Sequence, residues 1–462
     1  MFLTDGLPDR RYDCYVIGAG PAGITLALEL AKSNRTVLVF ESGTVTEWRR
    51  DMPDVVNYGH FRNRWWDQHS IRAVGGTSHV WYGWCTTLRD VDFDNPAAGV
   101  RWPIARSDLV PYYRRAAPVL DRHPAIVDAD TPLASGFLYR PFSTGSPTRF
   151  GSKYQEALGT SSQVDVAVGT SVVGLEANAS RSAVSRVTCF RHATDATMQL
   201  DLDPAQNVVL AGGGISNAQL FLQPRADGAT PVGNESGLAG KFLMEHPHFV
   251  RAAEVVLDED LNGYPVPADF GNRAATLVPD DQLMRRHGLL ECSMECHSRT
   301  TEHPMAEHLA REYGKPFHHY GCTVRSEMAP SPGNEVFLTG ERGPAGLYRP
   351  AARCVIGAGD FLNVERTLRL LGESLIASGK GRVRIDNERL YQRPTGGGHI
   401  MGTTRMGTSR SDSVVDSNCR VHGYDNLFVA GASVFPTVGY ANPTLTMLAL
   451  TLRLADTLAA AA

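Results

Sequence analysis

The residues with the clearest chemical potential lie between Gly396 and Met447. His399 opens a loop of small residues, HIMGTTRMG, and Asn442 sits in GYANPTLTM, a loop that runs into a predicted helix. A neutral imidazole takes a proton near neutral pH, and a carboxamide orients a hydroxyl without competing for that proton. On two loops flanking one strand, such a pair forms a general-base constellation. A histidine among glycines equally suits a structural role, so the rest of the chain must decide between the two.

The strand between the loops, in NLFVAGAS, is an apolar run ending in Gly431 and Ala432, where backbone approaches a ligand closely. The elements that position it begin near the N-terminus. Residues 13–17, DCYVI, read as a short buried strand. Gly18-Ala19-Gly20-Pro21-Ala22-Gly23 follows at once, then ITLALELAKS in helical period, then the apolar strand TVLVFE ending at Glu41 and Ser42. This strand, glycine turn, helix and strand make a dinucleotide-binding unit. Gly18 allows the tight turn, Gly20 admits a pyrophosphate, and Gly23 lets helix pack on strand. The helix N-terminus offers unpaired N–H groups to the phosphates. Glu41 can accept hydrogen bonds from a ribose and would repel a 2′-phosphate, which disfavours NADP but leaves NAD and FAD open.

Three further stretches belong with this unit. Gly75-Gly76-Thr77-Ser78 suits a loop pressing on a flat or charged ligand. Gln163–Glu176 alternates as strands, with Val173 as a candidate cofactor contact. Ala211 and Gly212 lie in NVVLAGGGISNAQLFL, a second strand–glycine–helix passage. With Gly431, Ala432, Asn442, Pro443 and Thr444 they complete the predicted cofactor site. His79, beside the GGTS loop, reads either as a ligand or as a loop histidine bonded to backbone. The remaining signals are weaker: polar caps before SDLVPYY predict a helix start, Gly159 a helix stop after Tyr154–Leu158, and His318, His319 and Tyr320 a possible pocket wall.

Composition narrows the function classes. At 462 residues the chain accommodates two or three domains. A net charge of −4 argues against nucleic acid or an anionic membrane as partner, and no apolar run is long enough to span a bilayer. Arg10 and Arg11 form a twin-arginine pair, but the apolar residues that follow, CYVIGAG, are needed in the fold. The eight scattered cysteines read as free thiols, and the chain is expected in the cytoplasm. Cys292, Cys296 and His297 cluster without a second pair, and His246 and His248, on one strand face, lack a third ligand. No metal is expected.

Taken together, GAGPAG with Glu41, GGTS, RWPIARSDLVPYYRRA, LAGGGISNAQLFL, HIMGTTRMG, SVVD, RVHGYDNLFVAGASVFPT and GYANPTLTMLAL resemble the glucose–methanol–choline flavoprotein oxidoreductases, in particular their pyranose-oxidase and sugar-dehydrogenase branch. The resemblance covers somewhat more than half of the chain. It implies an α/β fold in which a Rossmann-like FAD-binding domain, in three parts (1–95, 150–245 and 395–462), is interleaved with a substrate-side insertion (96–149) and with an α+β substrate-binding domain on an antiparallel sheet (246–394). It implies FAD as cofactor, His399 as the active-site base and Asn442 as its partner. The implied reaction oxidises a CH–OH group of a sugar, glycoside, glycosylated metabolite or other alcohol to a carbonyl, with hydride passing to flavin N5 and then to oxygen or another small acceptor. In pyranose oxidases a histidine after the paired glycines bonds covalently to the flavin. Here Val80 stands at that count and His79 one place earlier, so non-covalent FAD is expected. The iron–sulfur cysteine motif of some sugar dehydrogenases is missing. Some family members are lyases that cleave cyanohydrins, and a lyase with structural flavin is the alternative.

Overall fold

The computed structural model describes residues 1–4, 6–46, 56–60, 71–124, 130–225, 227–261, 273–298, 302–392 and 394–460. Trp48, Trp65 and Trp66, read from the sequence as part of an excursion, lie outside the described residues.

Short apolar runs flanked by glycine build a six-stranded parallel sheet. Its order is Phe2–Leu3, Val164–Ala167, Val37–Phe40, Cys14–Ile17, Asn207–Leu210 and Leu427–Val429. All five pairings are parallel, with Cys14 beside Val37 and Leu210 beside Val429. Parallel strands need both faces covered, which explains why VLVF and LFV are buried throughout. Helix Pro21–Lys32 packs against the C-terminal helix Pro443–Ala460, which in turn packs against Arg106–Val119. The parallel register brings Gly18, Glu41, Ala211 and Ala430 to one edge, the carboxyl ends of the strands, where open α/β sheets bind ligands.

The second layer is an antiparallel sheet in the order Gly381–Ile385, Pro247–Leu257, His318–Ser326, Cys292–Ser298, Arg273–Pro279, Phe137–Ser143 and Thr131–Ala134. Helix Ala358–Ala377 sets Val364, Leu368, Leu371 and Leu375 into a core with Phe249, Val255, Met294 and Val324. The 96–149 segment divides between the layers. Its helix Arg106–Val119 lies on the C-terminal helix, and its two strands join the antiparallel sheet. Thr395–Gly396 pairs with Pro247 and His248, so the chain crosses from the antiparallel layer into the His399 loop along one strand edge.

One boundary differs from the sequence reading. The helix expected at Tyr154–Leu158 spans Phe150–Thr160 and passes through Gly159, whose missing side chain faces the Phe2 ring. Among the described residues no helix is long and apolar enough to cross a membrane.

Candidate active site

A cavity of about 1220 Å³ runs along the carboxyl edge of the parallel sheet and reaches the antiparallel sheet. The glycine turn forms part of its wall. Gly18 takes φ +113°, and a Cβ there would lie 2.7 Å from the Ala211 carbonyl. Gly23 packs helix on strand so closely that a Cβ would overlap the Gly18 carbonyl. Pro21 opens the helix, where its missing N–H costs nothing. Glu41 is buried, and its two carboxylate oxygens accept N–H groups from Ala19 at 2.9 Å and Gly43 at 2.8 Å. Burial raises its pKa, against the pull of those bonds.

Strand pairing sets the His399 loop. Pro247 and His248 pair with Gly396 and Thr395, Met244 pairs with Met401, and residues 397–400 arch out between. Glu245, fully buried, fills the arch. Its Oε1 accepts the N–H groups of His246 and His399, and its Oε2 that of Gly398, all at 2.8 Å. Burial pushes its carboxyl up to about 8 although the backbone donors pull the other way.

The His399 ring is held at both nitrogens. Its Nδ1 lies 2.8 Å from Nδ1 of His246, and its Nε2 lies 3.2 Å from Nδ2 of Asn442. Burial pushes His246 down to about 4, so it is neutral at pH 7. With an amide N–H presented to it, Nε2 of His399 is the acceptor. The proton of neutral His399 then sits on Nδ1 and points at the His246 lone pair. His399 and Asn442 both line the cavity, as do His248 and Arg325, which are cross-strand partners. Arg325 pairs with Glu295 and lies 5.2 Å over the Trp84 ring.

The Asn442 loop rests on buried carboxylates. Glu327 Oε1 accepts from Val438 N at 3.3 Å and Gly439 N at 3.2 Å, and Glu291 Oε2 accepts from Tyr440 N at 3.1 Å. Glu291 is ion-paired with buried Arg89. Trp102 Nε1 donates to Thr437 Oγ1 at 2.6 Å, which donates to the Asp92 carbonyl at 2.7 Å.

The sequence model of the GMC oxidoreductases matches residues 351–451, the stretch carrying both His399 and Asn442, and an NAD(P)-binding Rossmann-like domain matches residues 16–59. The chain is similar over nearly its whole length to 6‴-hydroxyparomomycin C oxidase of Streptomyces lividus, at 25% identity over 98% of this chain and 92% of the relative. It is likewise similar to paromamine 6′-oxidase of Streptomyces fradiae, at 27% identity over 98% and 92%. Its C-terminal part thus carries the GMC oxidoreductase pattern. A solved formate oxidase shares its fold at 17% identity with a TM-score of 0.60, over 97% of this chain and 98% of that one.

FAD is the cofactor that the GMC oxidoreductase match brings with it, and the cavity fits it. Gly20 has φ −79°, a conformation any residue adopts, and a Cβ there meets no atom within 4 Å. Nothing within the chain demands glycine at 20, but the empty space in front of it does. Ala22, Ser42, Gly76, Thr77, Ser78, Ala211, Gly212, Gly431, Ala432, Pro443 and Thr444 line the same space. Gly75 does not line it but takes φ +100° and donates to the Ala19 carbonyl at 2.7 Å, holding the GGTS loop against the glycine turn.

Val173 does not line the cavity. Val172 lines the cavity instead, because successive residues of the strand Thr170–Ala177 face opposite sides. Residues missed from sequence include Arg72, Ser171 and His192, where Ser171 Oγ donates to Ser42 Oγ at 2.8 Å and meets His192 Nε2 at 2.8 Å. Asn217 was also missed. It accepts from Gly212 N at 2.9 Å and donates to Ser433 Oγ at 3.1 Å, tying two of the glycine loops together. No short-range pattern marks these residues, since their partners lie far along the chain.

His79 Nε2 meets the Val74 carbonyl at 2.9 Å, and His79 does not line the cavity. His318, His319 and Tyr320 do not line it either; Tyr320 is core, its hydroxyl taken by the Glu259 carbonyl and Leu261 N–H. His319 and His303 approach Glu254 Oε2 at 3.8 and 3.7 Å, but that oxygen already receives two Arg384 donors at 2.7 and 3.0 Å. A guanidinium therefore already balances the carboxylate of this ion-pair cluster.

Proposed function

We propose that the chain oxidises a CH–OH group of a sugar, glycoside or glycosylated metabolite to a carbonyl, with His399 as general base and Asn442 orienting the reacting hydroxyl. The observation that carries this reading is one cavity walled both by the Gly18–Ala22 and Glu41 cradle and by the His399–Asn442 pair. Bound FAD supplies the hydride acceptor. The rest is done by side chains. His399 Nε2 takes the hydroxyl proton, and the resulting imidazolium is accommodated because Nδ1–H already points at the neutral His246 ring. Asn442 donates to the same hydroxyl region without adding charge. Gly20, Pro21 and Ala22 would hold the pyrophosphate on the turn that Gly18 and Gly23 shape, Glu41 and Ser42 would hold the ribose, and residues 442–444 would offer the N-terminus of the last helix to the ring system.

Support for a polyol substrate comes from His248 and Arg325, polar groups on the antiparallel wall of the same cavity, and from the two near-full-length relatives, named as oxidases of 6‴-hydroxyparomomycin C and of paromamine. Small-molecule chemistry of this kind involves neither nucleic acid nor a membrane surface. Oxygen or another small acceptor then reoxidises the enzyme. We place it in the cytoplasm, on the eight free cysteines, and hold FAD to be non-covalent, on the engagement of His79 with backbone.

The test is anaerobic titration of the purified yellow protein with sugars, glycosides, paromamine and simple alcohols, following the visible flavin band. Bleaching by one class establishes oxidation and names the chemotype. Turnover of a cyanohydrin with the band unchanged would instead establish the lyase.

A further inference from the structure

We infer that Glu245 is the positioning residue of His399, a buried carboxylate on which the arch 397–400 hangs through backbone N–H bonds. The inference rests on the reading of His399 as the base. The arch lies between two strand pairings, Met244 with Met401 and Pro247 with Gly396. Within it no ladder partner is available for the N–H groups of Gly398 and His399, and both turn inward onto Glu245 at 2.8 Å. The third bond, from His246 N at 2.8 Å, ties the carboxylate to the segment that supplies the other imidazole. One side chain thus fixes the backbone of both rings in the His246–His399 contact.

Glu245 is 0% exposed; His399 Nδ1 lies 4.0 Å from its Oε1, and among the described residues no lysine or arginine is within ion-pair distance. A buried carboxyl without a cationic partner is costly unless backbone donors satisfy its oxygens, and burial favours its protonated form. Here three donors do so. The second loop repeats the device, with Glu327 and Glu291 taking the N–H groups of Val438, Gly439 and Tyr440 just before Asn442. Both members of the His399–Asn442 pair are therefore set by carboxylates outside the contact itself.

Glu245→Gln is close to isosteric but turns an amide N–H₂ toward a backbone donor, so at least one clamp bond is lost. Glu245→Asp keeps the carboxyl group and shortens the reach. Each holoenzyme variant is expected to keep its flavin spectrum and its half-saturating substrate concentration within about threefold, while the limiting rate of anaerobic flavin reduction falls at least ~10-fold, as misplacement of a base requires. The second readout is residue-resolved hydrogen exchange of the wild-type holoenzyme. The amides of Gly398 and His399 should exchange as slowly as those of the sheet core, although they border a cavity, and at least ~10-fold faster in Glu245→Gln. Wild-type reduction rates in both variants, or rapid exchange at 398 and 399 in the wild type, overturn the inference. If neither variant folds, the wild-type exchange pattern decides. Slow exchange in a wild type that no alcohol reduces would leave the clamp standing and remove the oxidation reading instead.

Discussion

Nδ2 of Asn442 lies 3.2 Å from Nε2 of His399, across 43 residues of sequence, and this contact selects the tautomer that leaves Nε2 unprotonated, ready for a substrate hydroxyl that displaces the amide N–H. A neutral carboxamide achieves this without holding a proton on the ring. A carboxylate in its place favours the imidazolium, and an opposite charge this close typically raises the partner's pKa by ~1–3 units. Because the base works unprotonated, Asn442→Asp is expected to shift the acid limb of the flavin-reduction profile to higher pH by that amount. Asn442→Ala should slow reduction without moving the limb. Stopped-flow reduction between pH 5 and 9, values chosen to bracket the histidine range near ~6.5, distinguishes them. An unmoved limb in the aspartate variant would separate Asn442 from the proton-taking group.

Removing the base itself has a larger effect. His399→Ala leaves the glycine turn, Glu41 and the helix N-termini intact, so FAD should bind with an unchanged spectrum. Its anaerobic reduction should slow by ~10² or more, the usual contribution of a general base. Reduction at the wild-type rate would take His399 out of the mechanism.

The sequence exposes the parts of this protein whose chemistry is local. Gly18, Gly20 and Gly23 sit within six residues, between a strand and a helix, where Gly18 makes the turn, Gly23 packs helix on strand and Gly20 borders open space. His399 and Asn442 were legible because each is embedded in a loop of small residues at the end of a periodic element. Glu245, Asn217, Ser171 and Glu327 were not, since each acts on a partner elsewhere in the chain: Glu245 on Gly398, Glu327 on Gly439. A lone acid in KFLMEHPHFV carries no sign that an arch 153 residues away will need its oxygens. Val173, off the cavity lining, illustrates a related point. Period-two alternation identifies a strand but not which face meets the ligand, and a one-residue error exchanges Val173 for Val172.

The glycine at 20 offers a test of the cradle that does not depend on turnover. Its backbone conformation suits any residue and the space beside it is open. Gly20→Val should therefore change the stability of the cofactor-free protein by no more than ~0.5 kcal/mol, as at an unconstrained surface site. FAD binding should be lost, because the side chain occupies the place where a pyrophosphate approaches the backbone. Calorimetric unfolding of the apoprotein and flavin titration measure the two separately. A variant that loads fully with FAD refutes the placement.

The last expectation concerns the buried His246. Its pKa is near 4 in the folded protein, lowered chiefly by burial, against an ordinary value near 6.5. Between these values the unfolded chain takes up a proton that the folded one cannot. The contribution is therefore fully present above pH ~6.5 and is lost as pH falls toward 4, at ~1.4 kcal/mol per pH unit, or ~3 kcal/mol in all. Glu245 and Glu327 act with the opposite sign: burial raises them to about 8 and about 7, so their contribution is present at low pH and is lost as pH rises. They cancel when wild type is compared with a His246→Gln variant, which keeps an amide near His399 but has no titrating ring. The stability advantage of wild type over the variant should therefore shrink by ~3 kcal/mol between pH 7 and pH 4 in denaturant unfolding followed by tryptophan fluorescence. A difference that stays constant with pH would mean that His246 charges freely in the folded protein. A charged His246 ring could not accept the Nδ1 proton of His399, and the proposed proton path would fail with it.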